Sequence, residues 1–230
     1  MGGIAMNHIV EEAVGRIEEL EKKAPEGKHI VTGDIRRLSA ALFRKVPDKD
    51  IEKVFALCEE LLEQRSWALG VIAFDFAYRV KNQYQESSYD VFFRWLKDYV
   101  RGWGDCDDFC THAFGELLRQ KKLLFAKVIT WTEDPDFWVR RASAVILIPS
   151  IMKEDYDGIE PFVISDRLMN DEHDLVQKGY GWMLKALSQT DRRAVEEYLT
   201  ANHARMPRTA YRYALEKFDR ETRDRLMKLS

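Results

Sequence analysis

Proline and glycine are scarce in this chain of 230 residues, which contains 6 Pro and 12 Gly. Because these residues interrupt regular secondary structure most often, their scarcity leaves long stretches free for helices. Hydrophobic residues make up 46% of the sequence and charged residues 33%, which is unlike a disordered chain and provides enough apolar surface for a core. The composition therefore predicts a folded protein rich in helices.

A membrane-spanning segment and a signal peptide are also lacking. No apolar run approaches the roughly 18 residues that cross a bilayer. The first residues contain neither a charged start nor an apolar block with a small-residue cleavage site, as a secretory signal does. We therefore expect a cytoplasmic protein with no membrane partner. Residues 1–6 are expected to be either residues added for expression or a disordered start.

Cysteine is rare as well: Cys58, Cys106 and Cys110 are odd in number and are not spaced like a disulfide framework. Cys106 and Cys110 lie four residues apart and could share a helix face, but no second pair of ligands accompanies them. The five histidines form no pair with zinc-site spacing. We expect reduced thiols, no metal and no other cofactor.

The net charge of -3 argues by itself against a nucleic-acid partner, but the charges are unevenly distributed. From Val176 to Ser230 the sequence has 12 Lys and Arg against 7 Asp and Glu, so this part is basic and the rest is acidic. A basic C-terminal third suits a local polyanion site, whereas the plainer interpretation is a solvated charged face.

Apolar residues recur with the period of an α-helix along nearly the whole chain. One stretch shows this period at Ile51, Val54, Phe55, Leu57, Cys58, Leu61 and Leu62. Asp134-Pro135 places a capping side chain before a proline and predicts a helix from Phe137 to about Ile148. The sequence predicts about twelve helices, most of about 10–17 residues, joined by short turns.

Tryptophan marks a repeat within this helical pattern. Trp67, Trp103, Trp138 and Trp182 follow one another at spacings of 36, 35 and 44 residues, each early or centrally in a predicted helix. A period of about 40 residues built from two helices is typical of HEAT-like repeats, in which neighbouring pairs stack to bury their apolar faces. We predict an all-α fold of stacked antiparallel helix pairs, a curved HEAT-like solenoid that forms a single domain over 1–230.

Three segments carry residues that could do chemistry. In 102–111, Trp103 and Asp107 lie four residues apart and would share a helix face. Segment 136–142 contains Trp138 and an arginine pair, and segment 177–185 places two glycines inside a helical pattern at roughly 1 kcal/mol each relative to alanine. Dipole-favoured acids at a helix start and surface arginines are the plainer interpretations of the first two segments.

Together the segments read Trp-x-x-x-Asp, Trp-x-x-Arg-Ala and Gln-Lys-x-x-Gly-Trp-x-Leu, in that order. This set resembles the HEAT-like DNA alkylation repair family of alkylpurine DNA glycosylases, from about Val31 to about Tyr198. The resemblance implies that Asp107 is the catalytic aspartate and that Trp103 and Trp182 are the cleft tryptophans. It implies a DNA-binding role for Arg141, and we expect the same role for the basic Lys178 and Lys185.

One departure from the family pattern concerns the catalytic position. The family has Trp-Asp-x-x-Asp, whereas Gly104 follows the tryptophan in this chain. A shift of one residue would make Asp108 the catalytic group. Asp107 is preferred because it preserves both the spacing from Trp103 and the spacing to Gly115.

The resemblance implies a monomeric enzyme that acts on double-stranded DNA carrying alkylated bases, located in the cytoplasm and, in a prokaryote, at the nucleoid. It implies base excision repair: removal of positively charged N3- or N7-alkylated purines by hydrolysis of the N-glycosidic bond. Two other functions remain open. A non-catalytic DNA-binding paralogue would share the fold and the basic residues, and a protein–protein scaffold is a common role of helical repeats.

Overall fold

The computed structural model describes residues 2–25 and 30–229, and this part of the chain is helical without any β-strand. It divides into two compact units, Met1–Gln85 and Glu86–Ser230. The predicted all-α fold of stacked helix pairs is confirmed. The single domain over 1–230 stays a prediction. Of the segment 1–6, Met1 lies outside the described residues, and the first helix begins at Gly2.

The described residues of the first unit form four α-helices, followed by a short 3-10 turn at Lys81–Gln83. The helices are α1 (Gly2–Lys23), α2 (Thr32–Lys45), α3 (Ile51–Glu63) and α4 (Trp67–Arg79). Helix α4 packs against α2 and α3, and α1 packs against all three. The predicted apolar stripe of α3 is buried, as in Val54, Leu57 and Leu61.

The second unit carries all the candidate site residues. Its helices are α5 (Ser88–Tyr99), α6 (Trp103–Thr111), α7 (Ala113–Gln120), α8 (Phe125–Thr130), α9 (Phe137–Val145), α10 (Ile148–Met152), α11 (Pro161–Leu168), α12 (Asp174–Thr190), α13 (Arg192–Asn202), α14 (Arg208–Ala214) and α15 (Arg220–Met227). Helices α6, α9, α12 and α14 pack in series, each against the next. In the described residues no helix has the length and apolar character that crossing a membrane requires.

An aromatic cluster fixes the start of this series. Phe92 of α5 lies 5.3 Å from Phe109 of α6 and 5.4 Å from Phe114 of α7, measured between ring centroids. The indole N–H of Trp131 donates to the hydroxyl of Tyr89 at 3.0 Å, which satisfies the buried polar end of the cluster. Because Phe109 belongs to α6, the cluster sets the orientation of the helix that carries Trp103 and Asp107.

The described residues contain more helices than predicted, and many are shorter than ten residues. The predicted helix from Phe137 to about Ile148 ends at Val145 and is followed by α10. Pro149 accounts for this break, because a proline ring clashes with the carbonyl four residues earlier. The cap of α9 is also displaced: Asp136, not Asp134, accepts a hydrogen bond from the backbone N–H of Trp138.

Three of the four repeated tryptophans lie at the start of a helix. Trp67 and Trp103 are the first residues of α4 and α6, and Trp138 is the second residue of α9. Trp182 lies in the middle of α12, which explains why the last spacing in the sequence is longer.

Candidate functional site

Helix α6 exposes one face at its first turn. Gly102 precedes the helix in an extended conformation, and Trp103, its first residue, is 65% exposed. Cys106, Phe109 and Cys110 of the same helix are buried. Asp107 follows Trp103 by about one turn, so the exposed indole and this carboxylate lie on the same side of the helix, as the sequence predicts.

Asp107 forms a two-point ion pair with Arg141 of α9. The Nε and Nη2 atoms of Arg141 donate to Oδ1 and Oδ2 of Asp107, both at 2.9 Å. Arg141 is only 5% exposed. Its Nη1 atom donates to the backbone carbonyl of Leu175 in the first turn of α12. One guanidinium therefore links α6, α9 and α12.

A glycine makes room for this guanidinium. A Cβ atom added at Gly179 of α12 would lie 3.0 Å from Cγ and 3.5 Å from Nη1 of Arg141. Glycine in a helix interior costs roughly 1 kcal/mol relative to alanine, so its presence needs a packing reason. The close approach of α12 to Arg141 supplies that reason.

The surroundings of Asp107 act on its charge in opposite directions. Burial raises the pKa of the Asp107 carboxyl above its ordinary value, and the hydrogen bonds and positive charge of Arg141 oppose that rise. The Asp107 side chain keeps 18% of its surface exposed. Since each carboxylate oxygen can accept more than one hydrogen bond, Asp107 can still interact with a ligand while Arg141 holds it.

The two neighbouring carboxylates differ from Asp107 in their partners. Asp105 is half-buried, and its Oδ2 atom accepts a hydrogen bond from the backbone N–H of Arg101 at 3.2 Å. Asp108, the alternative that the sequence leaves open, follows Asp107 on α6. Arg141 binds both carboxylate oxygens of Asp107. This supports the alignment with the family pattern that also preserves the spacing from Trp103.

Helix α12 presents the other predicted site residues on one face. Lys178, Trp182 and Lys185 follow at helical intervals, and all three are half-buried. The Nζ atom of Lys178 lies 2.6 Å from Oδ2 of Asp174, and the Nζ atom of Lys185 lies 2.9 Å from Oε2 of Glu216. Both carboxylates are exposed, so these are weak ion pairs. A DNA phosphate can therefore replace the carboxylate beside each lysine.

Helix α14 packs closely against α12 at Gly181, and the sequence did not predict which helix would make this contact. A Cβ atom added at Gly181 would lie 2.7 Å from Cβ of Tyr213 and 2.8 Å from the carbonyl oxygen of Ala210, both on α14. The two glycines inside the pattern of 177–185 were the signal for this close approach. No pattern in the sequence indicates which residues approach these glycines. They are Arg141 at Gly179 and Tyr213 at Gly181.

Several basic residues of the C-terminal third form ion pairs in the described part of the chain. Arg193 and Arg225 pair with Glu197 and Glu196. Three further arginines are exposed: Arg205 before α14, Arg208 at its first residue and Arg212 in its last turn.

Comparison with known proteins identifies a family. The model of a family described as DNA alkylation repair enzyme matches residues 29–218. This match spans both units and includes every candidate site residue. No curated protein sequence matches the chain.

Two solved structures have the same fold at low sequence identity. AlkD2 from Streptococcus mutans is 16% identical, with a TM-score of 0.62, and the match covers 90% of this chain and 99% of that one. An Enterococcus faecalis protein described as a predicted DNA alkylation repair enzyme is 15% identical, with a TM-score of 0.54, covering 81% of this chain and 96% of that one.

Proposed function

Since the chain belongs to the family of DNA alkylation repair enzymes, we propose that it is a DNA glycosylase for alkylated purines. It excises bases that carry a positive charge from alkylation at N3 or N7, by hydrolysis of the N-glycosidic bond in double-stranded DNA. The observation that carries the proposal is the Asp107 carboxylate, which Arg141 holds at two points on the same helix face as an exposed tryptophan.

The chemistry of the substrate explains why a carboxylate suffices. When the glycosidic bond breaks, its electron pair goes to the positively charged base, which leaves as a neutral molecule. Positive charge develops on the sugar at C1′, where water adds and then loses a proton to complete the hydrolysis. A fixed negative group beside the sugar stabilises this charge and can orient the water, so Asp107 needs no metal or other cofactor for this role.

We assign Arg141 as the positioning residue for Asp107. The family resemblance implies a DNA-binding role for Arg141, but its guanidinium is almost fully buried and donates to Asp107 and Leu175. A guanidinium fork fixes both carboxylate oxygens at once, which a lysine cannot do. The orientation of the carboxylate relative to the sugar is then set before DNA binds.

The tryptophans are proposed to stabilise the cationic substrate. An indole face attracts a cation by about 0.5–2 kcal/mol, depending on desolvation. We expect Trp103→Ala and Trp182→Ala to reduce the single-turnover rate of base release roughly twofold to thirtyfold, with a smaller effect on the affinity for unmodified duplex. Fluorescence anisotropy and single-turnover assays check this. Equal losses in both measurements would assign the indoles to DNA binding alone.

DNA binding by this protein should depend steeply on salt despite the net charge of -3. We expect phosphates to contact five basic residues outside the Asp107–Arg141 pair: Lys178, Lys185, Arg205, Arg208 and Arg212. Each phosphate contact releases roughly 0.9 counterion, so four to five contacts predict a log–log slope of about -4. Anisotropy titrations at three salt concentrations measure it. A flat response would remove these residues from a DNA interface.

The decisive experiment is incubation of the protein with duplex DNA that contains 7-methylguanine and 3-methyladenine, followed by detection of the free base. Release of either base supports the proposed activity. Duplex affinity without base release would indicate a non-catalytic DNA-binding protein, and absence of duplex affinity would favour a protein–protein scaffold. On the proposed function the protein acts as a monomer in the cytoplasm, at the nucleoid in a prokaryote.

A further inference from the structure

The contact between α12 and α14 leaves no room for a side chain at Gly181. At Gly181 an added Cβ would lie 2.7 Å from Cβ of Tyr213, 2.8 Å from the carbonyl oxygen of Ala210 and 3.1 Å from its Cα. Two of these three atoms are backbone and cannot swing away. Only glycine fits, although glycine costs roughly 1 kcal/mol in a helix interior. The close contact fixes where the base of the Tyr213 side chain sits.

Tyr213 is held beside the face of α12 that carries the predicted DNA-binding residues. Gly181 lies next to Trp182 and three residues after Lys178, which is one helical turn. Although its Cβ packs on Gly181, Tyr213 remains 36% exposed. An aromatic side chain anchored at its base and open to solvent loses little conformational freedom when it binds a ligand, because it has only two rotatable bonds.

Lys178 and Tyr213 are neighbours at the α12–α14 contact, because the Cβ of Tyr213 packs at Gly181, one helical turn after Lys178. The Nζ atom of Lys178 lies 2.6 Å from the exposed carboxylate of Asp174. An ammonium and a phenol hydroxyl both donate hydrogen bonds, and phosphate oxygens accept from both in DNA complexes.

We propose that Lys178 and Tyr213 together bind one backbone phosphate of duplex DNA, at the position next to Trp182. The ammonium of Lys178 exchanges the exposed carboxylate of Asp174 for a phosphate oxygen, and the hydroxyl of Tyr213 donates to a second oxygen of the same phosphate. This site fixes the register of the duplex relative to the Trp182 indole. The inference rests on the DNA-binding part of the proposed function and not on base release.

The test is a double-mutant cycle on unmodified duplex DNA, measured by fluorescence anisotropy. Tyr213→Phe removes only the hydroxyl and should weaken binding about tenfold with an unchanged salt slope, because the phenol carries no charge. Lys178→Gln should weaken binding and make the slope shallower by about 0.9. If one phosphate is shared, the double variant loses less than the product of the two single effects.

Tyr198→Phe is the matched control. Tyr198 is half-buried on α13, and its hydroxyl donates to Asp166 of α11 at 2.7 Å. It should bind duplex as the wild-type protein does, and thermal melting of all four variants reports whether each remains folded.

Wild-type affinity in Tyr213→Phe, or multiplicative effects in the double variant, would overturn the shared phosphate. This result is separable from the proposed activity, because base release is measured independently on alkylated duplex. A protein that binds duplex through Lys178 and Tyr213 but releases no base would keep the phosphate site and lose the glycosylase. A wild-type protein without duplex affinity would overturn the phosphate site.

Discussion

Asp107→Asn is expected to abolish base release while duplex affinity stays the same or rises slightly. The substitution keeps the shape of the side chain and an oxygen that Arg141 can bind, but removes the negative charge that stabilises the developing sugar cation. We expect the single-turnover rate to fall at least about 10²- to 10³-fold, the range found when one preorganised electrostatic group is removed. Loss of a negative group near phosphates reduces repulsion, which explains the direction of the affinity change.

Asp108→Asn is the control for this experiment, because it removes the same charge one position along α6. It should release base at close to the wild-type rate, since Arg141 holds Asp107 and not its neighbour. The opposite pattern, an active Asp107→Asn and an inactive Asp108→Asn, would show that the catalytic register is shifted by one residue. Melting curves for both variants exclude unfolding as the cause.

Arg141→Ala should lose both stability and base release, with little change in the salt dependence of DNA binding. Removing one partner of a buried ion pair leaves the other uncompensated and costs about 3–5 kcal/mol, so the melting temperature should fall by about 10 °C. Without the guanidinium, burial alone acts on the Asp107 carboxyl, and its pKa rises further. The acidic limb of the pH–rate profile should therefore move to higher pH, because the active form is the charged carboxylate.

Arg141→Lys separates charge from geometry at the same position. It keeps the positive charge near Asp107 but cannot bind both carboxylate oxygens through a planar fork. We expect stability and the pH–rate profile to be largely restored, whereas the rate of base release recovers only in part. If Arg141→Ala instead makes the salt slope shallower by about one, as Lys178→Gln should, Arg141 contacts a phosphate directly and the positioning role is wrong.

The exposed lysine ion pairs and the buried arginine ion pair differ in the free energy needed to break them. Lys178–Asp174 and Lys185–Glu216 involve exposed carboxylates, and such pairs contribute about 0–1 kcal/mol. A phosphate can replace those carboxylates at little cost. Arg141–Asp107 is largely removed from water, so breaking it is expensive, and we expect DNA to bind without separating this pair.

Much of the fold follows from local patterns. The apolar period of α3 predicted its buried face, and the ordered motifs around Trp103, Trp138 and Trp182 fell on three helices that pack in series. The number of helices and the cap of α9 were predicted less well. A proline acts on a carbonyl four residues away and two nearby aspartates compete for one cap, so the outcome depends on small differences in backbone geometry.

The sequence alone determined which residue types are present, in what order and with what helical spacing, and hence the candidates Asp107, Arg141 and Trp182. The tertiary structure decided their partners. Arg141 and Asp107 are 34 residues apart and meet only because α6 packs on α9, and Tyr213 contacts α12 only because Gly181 lets α14 approach it. Local periodicity shows which face a side chain occupies. Which charge compensates which depends on distances between helices, and packing alone sets those distances.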